Sequence, residues 1–239
     1  MTSLPTDAII MAGGLGTRLR PVVRDVPKPM APVMGRPFLE YLMRFWARQG
    51  IRRFHLSIGY LGDAIEAHFG AQFLDCSVRY IREESPLGTG GGLRRALAQG
   101  DWTSEDAIML NGDTWYEVDL GRLTADAGRL QLPITVAIKP AWENDRFGGI
   151  VLDANGRVAE FGERAPGAKW INGGTYYFDV ARVRALLEGF PPAFSLEQDV
   201  LATQAHAGNV AASIQDCNFL DIGVPDDYAR APSILGSRT

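Results

Sequence analysis

Apolar residues follow two alternating rhythms along the first two thirds of the chain. Short runs at Ala8–Met11, Arg53–Ile58, Val78–Ile81, Ala107–Leu110 and Ile134–Ile138 have the length and composition of strands. Between them, residues 37–49 carry Phe38, Leu39, Leu42, Met43, Phe45 and Trp46 at helical spacing, and helices are also predicted over 63–69 and over 91–99, the last stopping at Gly100. This alternation builds a sheet with crossover helices, a doubly wound α/β pattern. Beyond about residue 139 the rhythm shortens to strands at Gly149–Leu152, Val158–Phe161 and Thr175–Phe178, followed by helices at 180–187 and 196–205 and a short one from near Asp226. Ser195, with Gln198 three residues on, reads as a capping box for the helix over 196–205. The expectation is one domain over 1–239, with an added antiparallel part covering one side of the nucleotide fold.

Composition narrows the function classes. With 239 residues and 46% hydrophobic content the chain can bury a substantial core. A formal charge of −4 is not that of a protein gripping a long polyanion, so no nucleic-acid partner is expected and any phosphate must be held by local groups. The apolar run at residues 8–12 is too short for a signal peptide or a span, which predicts a cytoplasmic protein with no membrane partner. Cys76 and Cys217 form no CxxC pattern, and buried thiols are expected rather than a disulfide or structural zinc.

The first strand opens directly into Ala12, Gly13, Gly14, Leu15, Gly16, Thr17, Arg18 and Leu19, and Lys28 follows between Pro27 and Pro29. Consecutive glycines let backbone N–H groups approach phosphate oxygens, while Arg18 and Lys28 add positive charge. A Walker loop would need GK[ST], and a dinucleotide loop would need Gly or Ala where Leu19 stands. Prolines on both sides predict an extended segment that aims the Lys28 ammonium. The loop reads as a triphosphate site.

The run GGLGTRLRP, the segment PKPM, PLGTGG at 86–91, NGD at 111–113 and Asp221-Ile222-Gly223 occur in an order that resembles the sugar nucleotidyltransferases, the pyrophosphorylases that make activated sugars. The resemblance covers most of the chain. It implies a GT-A-like nucleotidyltransferase fold, a Rossmann-like doubly wound mixed sheet with a small antiparallel sugar-binding addition. Its nucleotide-binding part would be about 1–138 and its sugar-binding part about 139–239. It implies transfer of a nucleoside monophosphate to a sugar 1-phosphate, with Mg²⁺ and release of pyrophosphate. Asp113 stands just past the carboxyl end of a predicted strand, where open α/β sheets bind ligands, and Asp221 is similarly placed after Phe219 and Leu220. Each aspartate alone reads equally as a turn former; the resemblance assigns both to the metal.

By the same resemblance Arg18, Lys28 and Asp113 are catalytic. Ala12, Gly13, Gly14, Gly16, Thr17, Glu83, Pro86, Gly88 and Thr89 hold the nucleotide, and Asn111, Gly148, Glu163, Arg164, Asn172 and Gly173 hold the sugar phosphate. The attacking phosphate oxygen is already an anion, so no general base is needed and alignment with charge neutralisation carries the reaction. His55, His68 and His206 are scattered and read as structural or surface residues.

A carboxylate at Glu83 can accept from both guanine N1–H and its amino group, whereas uracil offers a single N–H; Arg82, Glu83 and Glu84 could also be a solvated charged turn. The reading is GTP, with UTP as the alternative. The stretches LRPVVRDVPKPMAPV, GRPFLEYLM, LNGDTWYEVDL and FLDIGVPDDYARA look most like the D-glycero-α-D-manno-heptose 1-phosphate guanylyltransferases. That implies GDP-heptose as product, for lipopolysaccharide, capsule or S-layer glycans. Mannose 1-phosphate guanylylation and N-acetylmuramic acid 1-phosphate uridylylation are the alternatives. The family commonly has lysine where Arg164 stands, which changes the phosphate-binding geometry. Outside the enzyme class, a nucleotide-sugar-binding regulatory subunit should have lost metal carboxylates or cations, whereas Arg18, Lys28, Asp113 and Asp221 are all present. No hexapeptide-repeat extension is expected, and oligomeric state stays open.

Overall fold

The computed structural model describes residues 3–14, 16–19, 21–23, 25–141, 149–162 and 167–236. Its strands are β1 (Asp7–Met11), β2 (Pro32–Val33), β3 (Arg36–Pro37), β4 (Arg53–Ile58), β5 (Gln72–Phe73), β6 (Cys76–Arg82), β7 (Asp106–Asn111), β8 (Thr114–Tyr116), β9 (Ile134–Pro140), β10 (Gly149–Leu152), β11 (Val158–Gly162), β12 (Trp170–Asp179), β13 (Val210–Ile214) and β14 (Phe219–Asp221). The helices are α1 (Phe38–Arg48), α2 (Gly62–Phe69), α3 (Gly88–Gln99), α4 (Leu120–Leu130), α5 (Val180–Leu187), α6 (Ala202–His206) and α7 (Pro225–Leu235), joined by a 3-10 turn at Lys28–Met30 and a π-helix at Leu196–Leu201.

The main sheet runs β11-β10-β12-β7-β1-β4-β6-β5, with β9 beside β12 and β13 beyond β9. Strands β7, β1, β4 and β6 are parallel neighbours. Their apolar runs are near-continuous because both faces are covered. Ala8, Ile10, Ile108 and Leu110 pack with α1, α2 and α4, while Ile9, Ala107 and Met109 pack with α3 and α5 on the opposite face. This is the doubly wound mixed arrangement expected from the pattern.

The later strands differ from expectation in one respect. They extend the sheet in its own plane instead of covering a side, because Thr175–Asp179 of β12 pairs antiparallel with β7 and takes its open edge. Strand β9 pairs antiparallel with β12 and parallel with β13, and with none of β1, β4, β6 and β7. Helix α4, absent from the sequence reading, starts where the Asp119 carboxylate accepts from the Arg122 N–H at 2.8 Å, and it buries Leu120, Leu123, Thr124 and Ala127. The Ser195 cap is half of the expected box. Its hydroxyl accepts from the Gln198 N–H at 3.2 Å, but its own N–H donates to Asp199 at 2.7 Å.

A small antiparallel pair, β8 with β14, sets Asp221 opposite Thr114. Beneath it Leu19, Phe38, Tyr41, Trp115, Leu220 and Ile222 form a satellite core with Ala231 and Leu235 of α7. That core ties the glycine loop to the C-terminal segment. Cys76 is buried, Cys217 is half-buried, and both are free thiols. No helix among the described residues is long and apolar enough to cross a membrane.

Candidate active site

Strands β1, β4, β6 and β7 end on one side of the sheet, and a cleft of about 290 Å³ lies across those ends, lined by Met11, Gly13, Gly14, Glu83, Pro86, Gly88, Thr89, Asn111 and Asp113. This is the crevice that open α/β sheets offer to ligands. A larger cavity of about 820 Å³, around His55, Arg79 and Gly100, contains none of the expected site residues.

The glycine loop reaches the cleft through backbone. Ala12 is buried and its N–H is consumed by Ser57 O at 2.8 Å. A Cβ on Gly13 would stand 3.2 Å from Glu83 Oε1, whereas Gly14 faces open space. Gly16 takes φ +59°, a conformation that disfavours any side chain, and leans on Lys28. Leu19, which broke the dinucleotide pattern, is 1% exposed and anchors the loop in the satellite core. Thr17 and Arg18 are solvent-exposed and lie outside the cleft lining.

Lys28 corrects the sequence reading. Pro27 is extended, but Lys28 opens the 3-10 turn, with Pro29 supplying the fixed φ at its start. The mostly buried ammonium forms an ion pair with Asp113 and lies 3.7 Å from Asp221 Oδ1. Asp113 is held by main-chain bonds on both sides, Gly112 N–H to Met11 O at 3.0 Å and Ile222 N–H to Asp113 O at 3.0 Å. Asp221 Oδ1 accepts from the Gly223 N–H at 2.7 Å, and a Cβ on Gly223 would lie 2.7 Å from both that oxygen and Lys28 Nζ. Two carboxylates from positions 108 apart in sequence therefore converge on the Lys28 ammonium, with Asp113 lining the cleft. Among the described residues no group of three or more His, Cys, Asp or Glu gathers as a metal cage. The pair of hard oxygen donors nonetheless fits Mg²⁺, which takes one or two carboxylates and fills its shell with water and substrate phosphates.

Glu83 faces inward, not into solvent as a charged turn would. One carboxylate oxygen accepts from Ser57 Oγ at 2.6 Å and the other from the Leu87 N–H at 3.2 Å. These bonds fix its plane and leave each oxygen a further lone pair. The segment after it is the first turn of α3, which begins three residues earlier than predicted. Its glycines answer mainly to packing: a Cβ would lie 2.5 Å from Phe194 O at Gly88, 2.3 Å from the Phe194 ring at Gly90 and 2.6 Å from Pro192 O at Gly91. Thr89 lines the cleft, yet its hydroxyl donates to Glu197 and accepts from the Leu196 N–H at 2.9 Å.

Asn111, at the end of β7, presents an Oδ1 that is buried and has no hydrogen-bond partner among the described residues. A buried acceptor of this kind is costly unless a ligand or water completes it. Asn172 and Gly173 lie close by in an irregular stretch of β12, where a Cβ on Gly173 would strike the Tyr116 ring at 2.2 Å and one on Gly174 would meet Asn111 Nδ2 at 2.6 Å. The Asn172 side chain is engaged internally, donating to Tyr176 Oη at 2.7 Å and accepting from the Gly174 N–H at 3.0 Å. Gly148, Glu163 and Arg164 lie outside the described residues. Sequence reasoning did not single out Ser57, Tyr176, Glu197 or Gly223 as site residues. The position of Gly223 two residues after Asp221 was the one available signal. His55 is wholly buried against Asp7 and Trp102, and neither His68 nor His206 lines the cleft.

A glycine loop and a carboxylate pair thus meet at a cleft across parallel strand ends. The profile of the family described as "Nucleotidyl transferase" matches residues 7–237, and the chain belongs to that family. Within it, the chain is 39% identical over 230 residues to a D-glycero-alpha-D-manno-heptose 1-phosphate guanylyltransferase of Aneurinibacillus thermoaerophilus, covering 96% of this chain and 98% of that protein. It is 36% identical to a protein of the same name from Campylobacter jejuni, with 92% and 96% covered. Among solved structures, HddC of Yersinia pseudotuberculosis complexed with GMP-PN superposes with a TM-score of 0.82 at 31% identity, covering 96% of this chain and 99% of that one.

Proposed function

We propose that the protein is a Mg²⁺-dependent guanylyltransferase that moves GMP from GTP to D-glycero-α-D-manno-heptose 1-phosphate, yielding GDP-heptose and pyrophosphate in the cytoplasm for surface glycan synthesis. The observation that carries this reading is the convergence of Asp113 and Asp221 beside the cleft. Similarity to heptose 1-phosphate guanylyltransferases over nearly the whole of both chains supports the choice of sugar and base.

The nucleotide is held by the part over about 1–138 and the sugar by the part over about 139–239. Gly13, Gly14 and Gly16 carry the phosphates on backbone, with Pro86, Gly88 and Thr89 shaping the wall opposite. The fixed carboxylate of Glu83 reads the guanine edge with its two remaining lone pairs. Asn111, Gly148, Glu163, Arg164, Asn172 and Gly173 receive the sugar phosphate. Asp113 and Asp221 would hold Mg²⁺, which would supply charge neutralisation for the phosphates. Lys28 keeps the aspartates at one place and adds positive charge where the phosphates meet. The solvent-exposed Arg18 stabilises departing pyrophosphate. The acceptor phosphate attacks as an anion, which explains why the site needs no histidine.

The test is pyrophosphate release with Mg²⁺ across GTP, UTP, ATP and CTP, each with heptose 1-phosphate, mannose 1-phosphate and N-acetylmuramic acid 1-phosphate. Turnover confined to GTP with the heptose is the expected result. Preference for UTP or another sugar overturns the assignment of base or acceptor.

A further inference from the structure

Glu197 belongs to none of the motifs, yet it is the node of a partly buried polar chain that links the cleft-lining Thr89 to β12. Its Oε2 accepts from the Thr89 hydroxyl and from Ser195 Oγ at 3.0 Å, and its Oε1 accepts from Tyr176 Oη at 3.0 Å. Tyr176 Oη in turn accepts from Asn172 Nδ2 at 2.7 Å. Thr89 stands at the start of α3 in the cleft wall, whereas Asn172 stands in the irregular stretch of β12 beside Asn111. Tyr176 is wholly buried, and burial, then the neighbouring Glu197 charge, push its phenol well above the ordinary value of 10.0, so it stays a hydrogen-bond donor. Glu197 also sits within the π-helix, an uncommon conformation that is frequent at functional sites.

The two ends of this chain are not equally dependent on Glu197. The α3 end has other anchors: Gly90 N–H to Phe194 O at 3.0 Å, Phe194 N–H to Leu87 O at 3.0 Å, and Arg94 to Phe190 O at 2.6 Å. At the β12 end the register with β9 shifts between Asn172 and Tyr176; the Asn172 amide oxygen accepts from the Gly174 N–H at 3.0 Å, while its amide nitrogen is held through the Tyr176–Glu197 link.

We propose that Glu197 is a positioning residue for the acceptor side of the site, acting through Tyr176 to orient Asn172 toward the sugar 1-phosphate. This rests on the guanylyltransferase reading above. The arrangement separates the two substrates kinetically. Replacing the carboxylate leaves the nucleotide wall on its other anchors and loosens the acceptor wall.

The experiment compares wild type, Glu197→Gln and Tyr176→Phe by steady-state kinetics, varying each substrate at saturating partner, with melting temperature recorded for each. The expected result is a KM for the sugar 1-phosphate raised by about 10-fold, because small misplacements of positioned groups are costly, while the KM for GTP changes by less than about 2-fold. The double variant should be no worse than the poorer single variant, since both act through one link. Equal effects on both KM values, or a lower melting temperature with an unchanged ratio of KM values, would overturn the proposal in favour of a purely structural role. If wild type accepts another sugar phosphate, the heptose reading fails while the same KM comparison still tests Glu197. If wild type turns over nothing, hydrogen exchange decides: faster exchange at 170–176 than at 86–92 in Glu197→Gln supports the link, and equal change in both segments sinks it.

Discussion

Gly223→Ala tests whether the carboxylate pair works by alignment. The new Cβ would be about 0.7 Å inside ordinary contact distance to both Asp221 Oδ1 and Lys28 Nζ. Both atoms are ends of side chains, and Gly223 has no positive φ that alanine would strain. The fold should therefore survive, with a melting temperature within a few degrees of wild type. What changes is the shared position of Asp113, Lys28 and Asp221. A displacement approaching 1 Å at a reacting centre costs up to about 100-fold, and partial relaxation by Lys28 suggests a loss of roughly 10- to 100-fold in kcat. The assay is pyrophosphate release with GTP and heptose 1-phosphate while Mg²⁺ is titrated, since a displaced Asp221 should also raise the Mg²⁺ needed for half-maximal rate. Activity within twofold of wild type at an unchanged Mg²⁺ requirement would refute the reasoning.

Three further outcomes follow from named contacts. Asp113→Asn removes the Lys28 ion pair and a carboxylate that the proposed mechanism assigns to the metal, and should lower kcat by about 100-fold or more in the same assay, with circular dichroism unchanged. Gly90→Ala drives a methyl to 2.3 Å from the Phe194 ring and should destabilise by about 1–3 kcal/mol in urea unfolding. Asp7 is wholly buried; burial alone would raise its pKa, but the His55 hydrogen bond and the Arg53 charge together hold it below the ordinary 3.8. Its contribution is therefore complete above pH 3.8 and disappears as pH falls through the lower folded value. The stability gap between wild type and Asp7→Asn should narrow on going from pH 7 to pH 3.

The parallel core could be read from sequence because its strands are covered on both faces and so appear as uninterrupted apolar runs. Strand β4 and helix α5 have the bounds that the pattern predicts. The glycines at 88–92 hid the start of α3, since intrinsic propensity argues against a helix there and only close packing on Phe194 and Pro192 requires it. Helix α4 carries its signal in the Asp119 cap and the spacing of Leu120, Leu123 and Ala127. The sequence motifs brought Gly13, Gly14, Glu83, Asn111 and Asp113 to one cleft. They could not show that Lys28 pairs with the aspartates, because that contact depends on β8 meeting β14 across a hundred residues. Glu197 was beyond reach for the same reason: its partners come from α3 and β12, and no local pattern marks it.

The most direct test of the central claim is ³¹P NMR of the protein with GTP and D-glycero-α-D-manno-heptose 1-phosphate, before and after Mg²⁺ is added. The expected spectrum is static without the metal and then gains one pyrophosphate and one GDP-heptose for each GTP consumed. Sugar nucleotide formed without a divalent ion would contradict the role of Asp113 and Asp221, and GTP consumed without sugar nucleotide would contradict the transfer itself.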